Sequence, residues 1–107
     1  MKTIALRDCK KGSVYWVEAR NFKLAVFDGE VFVGIREKFG TKFLDSERHW
    51  DEEDTERRVM GSCKPIREVG FVPDGVLDTK YVSENGRLSH NDVLFEYLSG
   101  ISKIGSQ

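Results

Sequence analysis

Asp28-Gly29 stands between two apolar alternations, and no other dipeptide constrains what this chain can fold into as tightly. Asp-Gly is a strong hairpin signal because a type I′ turn needs positive φ at both central residues, which Asp tolerates and Gly favours. A two-residue turn there makes Phe27 face Glu30 and sets Val26 opposite Val31, Leu24 opposite Val33 and Phe22 opposite Ile35. These apolar pairs share one face, and each contributes about 0.2–1 kcal/mol over Ala–Ala. A slip of one residue would turn the whole set to the wrong side, so turn and pattern predict the same register independently.

The count extends in both directions. Residues 14–19 are β-branched and aromatic, and a second two-residue turn at Arg20-Asn21 would place Ala19 against Phe22, Val17 against Leu24 and Tyr15 against Val26, with Glu18 meeting Lys23 on the reverse side. Downstream, Lys38-Phe39-Gly40-Thr41 reads as a loop in which Gly can take positive φ; pairing across it puts Glu37 against Lys42 and Ile35 against Leu44. Strands are thus predicted near 3–7, 14–19, 22–27, 30–37, 42–46 and 66–72. After Leu44 the inward positions become Ser46 and Arg48, so the fourth strand is expected to leave the core. Pro65 suits a strand start or an edge. Pro73-Asp74-Gly75 and Glu84-Asn85-Gly86-Arg87 read as turns on either side of a short strand candidate.

The end of the chain changes period. Ser89 is a suitable N-cap, Asp92 resembles the third position of a capping box, and Val93, Leu94, Tyr97, Leu98, Ile101 and Ile104 trace one stripe at helical spacing. A helix is predicted near 90–104. The whole describes a mainly β (α+β) chain in a single domain, residues 1–107: a small curled antiparallel sheet or open SH3-like barrel with a C-terminal amphipathic helix. One face of the meander, carrying Tyr15, Val17, Leu24, Val26, Val31, Val33 and Ile35, is wholly apolar and must be covered. The reverse carries Trp16, Ala25, Phe27 and Phe32 among Glu18, Lys23, Glu30 and Arg36.

With 39% apolar and 33% charged residues, the composition suits a water-soluble domain and excludes wholesale disorder. No apolar run approaches the ~20 residues of a membrane span, and residues 3–6 are too short for a signal-peptide core, so a cytoplasmic protein with no membrane association is expected. Cys9 and Cys63 form no C-x-x-C pair and read as reduced thiols.

Charge is unevenly spread along the chain. Although the net charge is −1, residues 45–56 hold seven carboxylates against Arg48. Asp45, Glu47, Asp51, Glu52, Glu53, Asp54 and Glu56 would offer a negative surface to a basic protein site, the electrostatics an inhibitor of a nucleic-acid enzyme uses. Trp50 lies in the same stretch as a hydrophobic anchor or an interface hot spot. The plainer account is a solvated loop balanced by Arg48, Arg57 and Arg58. Glu47, Trp50, Asp51, Glu52, Glu53 and Asp54 are therefore the candidate partner-binding residues.

The alternative is a nucleic-acid-binding barrel in which bases stack on Trp16 and Phe32 while Lys23 and Arg36 pair with phosphates. Against it, the chain lacks a basic net charge. A metal enzyme is a third class: His49, Asp51 and Glu53 would share one side of an extended strand, but only one of them is a nitrogen ligand. Gly61-Ser62-Cys63 lacks a nucleophile-elbow context and Cys63 has no adjacent base. The sequence thus assigns no catalytic residue, metal or cofactor. It leads to a small non-enzymatic protein-interaction module with a protein partner, leaving homo-oligomers open. Small charged domains of this texture are common among phage and mobile-element products, a likeness of class that carries over no residue.

Overall fold

The computed structural model describes residues 3–50, 62–73, 75–77, 82–84, 87–89 and 92–105. In chain order these form β1 (Ser13–Ala19), β2 (Leu24–Phe27), β3 (Val31–Lys38), β4 (Thr41–His49), β5 (Ser62–Phe71), β6 (Val82–Glu84), β7 (Arg87–Ser89) and the helix α1 (Asp92–Gly105). Strands β1 to β4 are successive antiparallel neighbours. Strand β5 then lies antiparallel to β1 and parallel to β4, so five strands close into a ring. The fold is the expected small curled β-barrel with a C-terminal helix, and its sheet is mixed through that one parallel contact. The β6–β7 hairpin joins β4 at Leu44, opposite Leu88, away from the β5 contact at Arg48 and His49.

The β3–β4 register agrees with the sequence: Ile35 faces Leu44 and Glu37 faces Lys42. Lys38 pairs with Thr41, and the two residues between them, Phe39 and Gly40, have φ of 54° and 76°. Positive φ at both central positions is what a type I′ turn requires. That turn type was predicted at Asp28-Gly29 instead. There, Val26 pairs with Val33 and Phe27 with Phe32, two places from the predicted register. The cause is local. Asp28 Oδ1 accepts from both the Glu30 and Val31 N–H groups at 2.8 Å, and Asp28 N–H donates to Val31 O at 3.0 Å, so the loop closes around four residues.

A shift of two leaves every side chain on its predicted face; a shift of one does not. Strand β1 pairs Val14 with Val26, Tyr15 with Ala25 and Trp16 with Leu24, one place from prediction. Its faces are therefore exchanged. The reason is that Arg20-Asn21 is no two-residue turn: Phe22 leaves the ladder to pack over Gly34, while Val17 N–H reaches Lys23 O at 2.8 Å. Val14, Leu24, Val26, Val33 and Leu44 cluster with Leu94 and Leu98 of α1 on one face. Tyr15, Val17, Phe22, Ala25, Phe27, Phe32 and Cys63 fill the other. Each face carries its own apolar core, and α1 covers the first.

Three further expectations change. Residues 3–7 form no strand: Ile4 N–H donates to Pro65 O at 2.8 Å, and a single 3-10 turn follows at Leu6–Asp8. Strand β4 runs on to His49 instead of stopping at 46, and β5 begins at Ser62, so Pro65 lies inside a strand. Pro65 is tolerated because its polar edge faces Ile4, while its partner Val17 points its own N–H toward β2. No β1–β5 ladder bond needs the missing proline N–H. Finally, Ser89 belongs to β7 and the helix starts at Asp92. Among its described side chains Leu94 and Leu98 are buried, while Val93 and Tyr97 of the predicted stripe are exposed. No helix among the described residues is long and apolar enough to cross a membrane.

Candidate functional site

The acid-rich stretch begins inside β4, at Asp45, and continues past its end, and β5 starts at Ser62, beyond the last of those acids. The two strands meet as a short parallel ladder, Arg48 beside Ser62 and His49 beside Cys63. Trp50 N–H extends it by donating to Cys63 O at 2.7 Å. Lys64, one residue further along β5, holds its ammonium 3.7 Å from the centre of the Trp50 indole. A cation that close to an indole face contributes about 0.5–1 kcal/mol when exposed and more when desolvated. The half-buried Trp50 is thus fixed from its backbone and from its ring. Its Nε1 is buried and meets no hydrogen-bond acceptor among the described residues.

His49 anchors the same junction to the N-terminal segment. Its Nε2 lies 3.2 Å from Ile4 O, and a carbonyl only accepts, so Nε2–H is the donor in this contact. Its ring lies 6.1 Å from that of Phe32, which in turn meets Tyr15 edge-on at 6.1 Å and Phe27 at 5.0 Å. Nδ1 is buried, without a hydrogen-bond partner among the described residues. No group of three His, Cys, Asp or Glu side chains among those residues is placed to hold a metal ion. Asp51 and Glu53, the other members of the predicted ligand set, lie outside them.

The predicted acidic surface divides. Asp51, Glu52, Glu53 and Asp54 are outside the described residues. Glu47 is no surface group: it is 2% exposed, faces Phe32 across the β3–β4 ladder, and Oε1 accepts from Asn21 Nδ2 at 3.3 Å. Asp45 is also buried, with Oδ2 3.1 Å from Arg36 Nη1 and Oδ1 accepting from Ser46 N–H at 2.8 Å. A continuous strand through His49 puts alternate acids on the core side, and each is met by a donor there.

The aromatic and basic surface of the alternative reading is not assembled. Trp16 pairs with Leu24 and packs on the helix-covered face, whereas Phe32 is fully buried on the opposite one. Arg36 is engaged with Asp45, and Lys23 is exposed in the β1–β2 loop. Bases have no shared stacking platform in these four residues.

Two residues matter here that nothing in the sequence singles out. Lys64 reaches Trp50 only through the parallel β4–β5 contact, a long-range pairing with no local signal. Phe39, which reads as part of a loop, is 94% exposed at a hairpin tip, with Lys38 Nζ 5.5 Å from its ring centre. Cys9 has its thiol pushed up from 9.0 to about 11, first by burial and second by the neighbouring Asp8 charge, so it is protonated at neutral pH. Fold and junction together define a small five-stranded mixed β-barrel with a C-terminal helix and a Trp50–Lys64 contact at its β4–β5 junction. Comparison with protein families, with curated proteins and with solved structures finds no match.

Proposed function

We propose that this barrel is a small non-enzymatic protein-interaction module that presents the acid-rich segment after β4 to a basic surface on a protein partner. The nucleic-acid site of an enzyme is the kind of surface it would suit, because such sites are basic by necessity. The observation that carries the proposal is the clamp at the base of the segment. Trp50 N–H is tied to Cys63 O, and Lys64 sits on the indole, so the described residues on either side of Asp51–Asp54 are held side by side. Anchored ends lower the ordering cost of binding, and clustered carboxylates speed encounter with a cationic partner.

Reversing Asp51, Glu52, Glu53 and Asp54 to Lys is the test. Wild-type and variant proteins would be used to capture partners from the native host, with nuclease treatment in parallel, and the far-UV spectrum would monitor the fold. The proposal expects a protein partner that survives nuclease and is lost with the variant. Capture unchanged by charge reversal would sink it. Nuclease-sensitive capture would favour nucleic acid instead.

A further inference from the structure

We propose that residues 3–9 form a releasable strap that clasps the β4–β5 junction, and that its release loosens the hold on Trp50 while the barrel stays folded. The strap begins with a bridging residue. Ile4 N–H donates to Pro65 O at 2.8 Å, and Ile4 O accepts from His49 Nε2–H at 3.2 Å, so one residue joins the backbone of β5 to a side chain of β4. The strands themselves share the pairs Arg48–Ser62 and His49–Cys63, followed by the bond from Trp50 N–H to Cys63 O at 2.7 Å. Ile4 therefore adds a fastening where that short ladder runs out.

Residues 5–9 form one piece. Asp8 N–H donates to Ala5 O at 2.9 Å, Cys9 N–H to Leu6 O at 3.0 Å and Cys9 Sγ–H to Ala5 O at 3.4 Å, so the 3-10 turn at Leu6–Asp8 ties both ends of the segment together. Beyond it the chain is fixed to the barrel again. Lys10 N–H donates to Tyr15 Oη at 2.8 Å, and Gly12 N–H to Phe27 O at 2.8 Å. The strap is thus a clip with a pivot between Cys9 and Lys10 and a latch at Ile4.

The latch is weaker than the core beneath it. No residue of the strap is fully buried, and Leu6, Arg7 and Asp8 are exposed. Ile4 and Cys9 nevertheless pack against Tyr15, Phe32 and Cys63, which are at most 1% exposed. A segment with little buried surface and few backbone bonds opens at a lower free energy than the core it covers. His49 contributes to the same imbalance. Its Nδ1 is buried without a hydrogen-bond partner among the described residues, a cost of the docked state that water removes on release. Release bares Pro65 O and His49 Nε2–H together, an acceptor and a donor spaced for the one residue of extended chain that Ile4 now supplies. The inference concerns the junction alone and is independent of the partner-binding reading.

Amide hydrogen exchange and alkylation of Cys9 by iodoacetamide, on the full chain at one neutral pH, test it. Ile4→Pro removes the N–H that Pro65 O accepts, Ile4→Ala keeps both backbone groups but loses the packing, and Ile4→Val keeps nearly all of each. In Ile4→Pro, Cys9 should react about tenfold faster than in the wild type and Trp50 N–H should exchange faster by a similar factor, while Val17 N–H, bonded to Lys23 O within the barrel, keeps its wild-type rate. Ile4→Ala should act in the same direction and decides the matter if Ile4→Pro does not fold. Ile4→Val should match the wild type in all three rates. Unchanged rates at Cys9 and Trp50 overturn the proposal, and so does equal acceleration of Val17, which would mean that the whole barrel opens. Faster Cys9 with an unchanged Trp50 also overturns it, because the strap would then lift without loosening the junction.

Discussion

Phe22 packs directly over Gly34: a Cβ built on Gly34 would lie 2.5 Å from Phe22 Cγ and 2.7 Å from Leu24 O. The glycine is required by this approach rather than by its backbone angle, since it is not among the positive-φ residues. Gly34→Ala should therefore destabilise by about 1–3 kcal/mol, the range for overpacked cores, and toward its upper end because the Leu24 carbonyl cannot rotate aside. In a Phe22→Ala background, which lacks the Cγ and Cδ1 atoms that the new Cβ would meet, Gly34→Ala should cost less, but only by the part due to the ring. Urea midpoints of the wild type, both single variants and the double variant separate the ring contact from the carbonyl contact, and a Gly34→Ala that costs nothing in the Phe22→Ala background would show that the carbonyl contact does not matter.

The same pair explains what the sequence revealed and what it concealed. The β3–β4 register was legible because Phe39-Gly40 closes a tight turn and the pattern around it has one solution. The β1–β2 register was not. Val14, Tyr15, Trp16 and Val17 are all apolar, and both faces of the sheet are buried, so alternation held no information about which way each side chain points. Only Phe22 dropping onto Gly34 decides the parity, and that is a tertiary fact. At the candidate site, the acid-rich composition was plain from the sequence, but Glu47 belongs to the core because β4 continues past Ser46. The clamp on Trp50 depends on a parallel strand pairing that no local pattern encodes.

Asp28 closes the β2–β3 loop through its side chain instead of through a two-residue turn. Its Oδ1 accepts two backbone N–H groups at 2.8 Å, and Asp28→Ala should cost about 1 kcal/mol, toward the modest end because the site is partly solvated. Asp28→Asn keeps a carbonyl oxygen in place and should retain most of that stability. Chemical denaturation with an unchanged m-value would show that the loss is one of stability and not of compactness. Equal losses for the two variants would show that the carboxylate charge, not the turn geometry, matters.

Cys9 links pH to stability. Its Sγ–H donates to Ala5 O at 3.4 Å, and burial with the nearby Asp8 raises the thiol from 9.0 to about 11. The folded state thus holds this proton more tightly than the unfolded chain. The stability it contributes is present below pH 9.0 and is lost as pH rises toward about 11. Cys9→Ser has no titrating thiol, so the wild type should fall relative to it over that window and run parallel below it. Slow alkylation of Cys9 by iodoacetamide at neutral pH, compared with a free thiol, checks the same shift independently. A parallel pair of curves up to pH 11 would remove this account of Cys9.

Phe39 should be replaceable at a gain. A side chain at φ 54° carries a left-handed penalty of about 1–2 kcal/mol in the most unfavourable case. What the ring returns is its exposed contact with Lys38 at 5.5 Å, about 0.5–1 kcal/mol. The backbone penalty outweighs the ring contact, and Asn both tolerates the left-handed region and suits the first position of a type I′ turn. Phe39→Asn should therefore raise the free energy of unfolding by up to ~1 kcal/mol. Phe39→Gly should gain less, because glycine adds entropy to the unfolded chain. Thermal and urea unfolding decide it. If Phe39→Asn is no more stable than the wild type, the turn is not strained there, and the exposed ring costs this hairpin nothing.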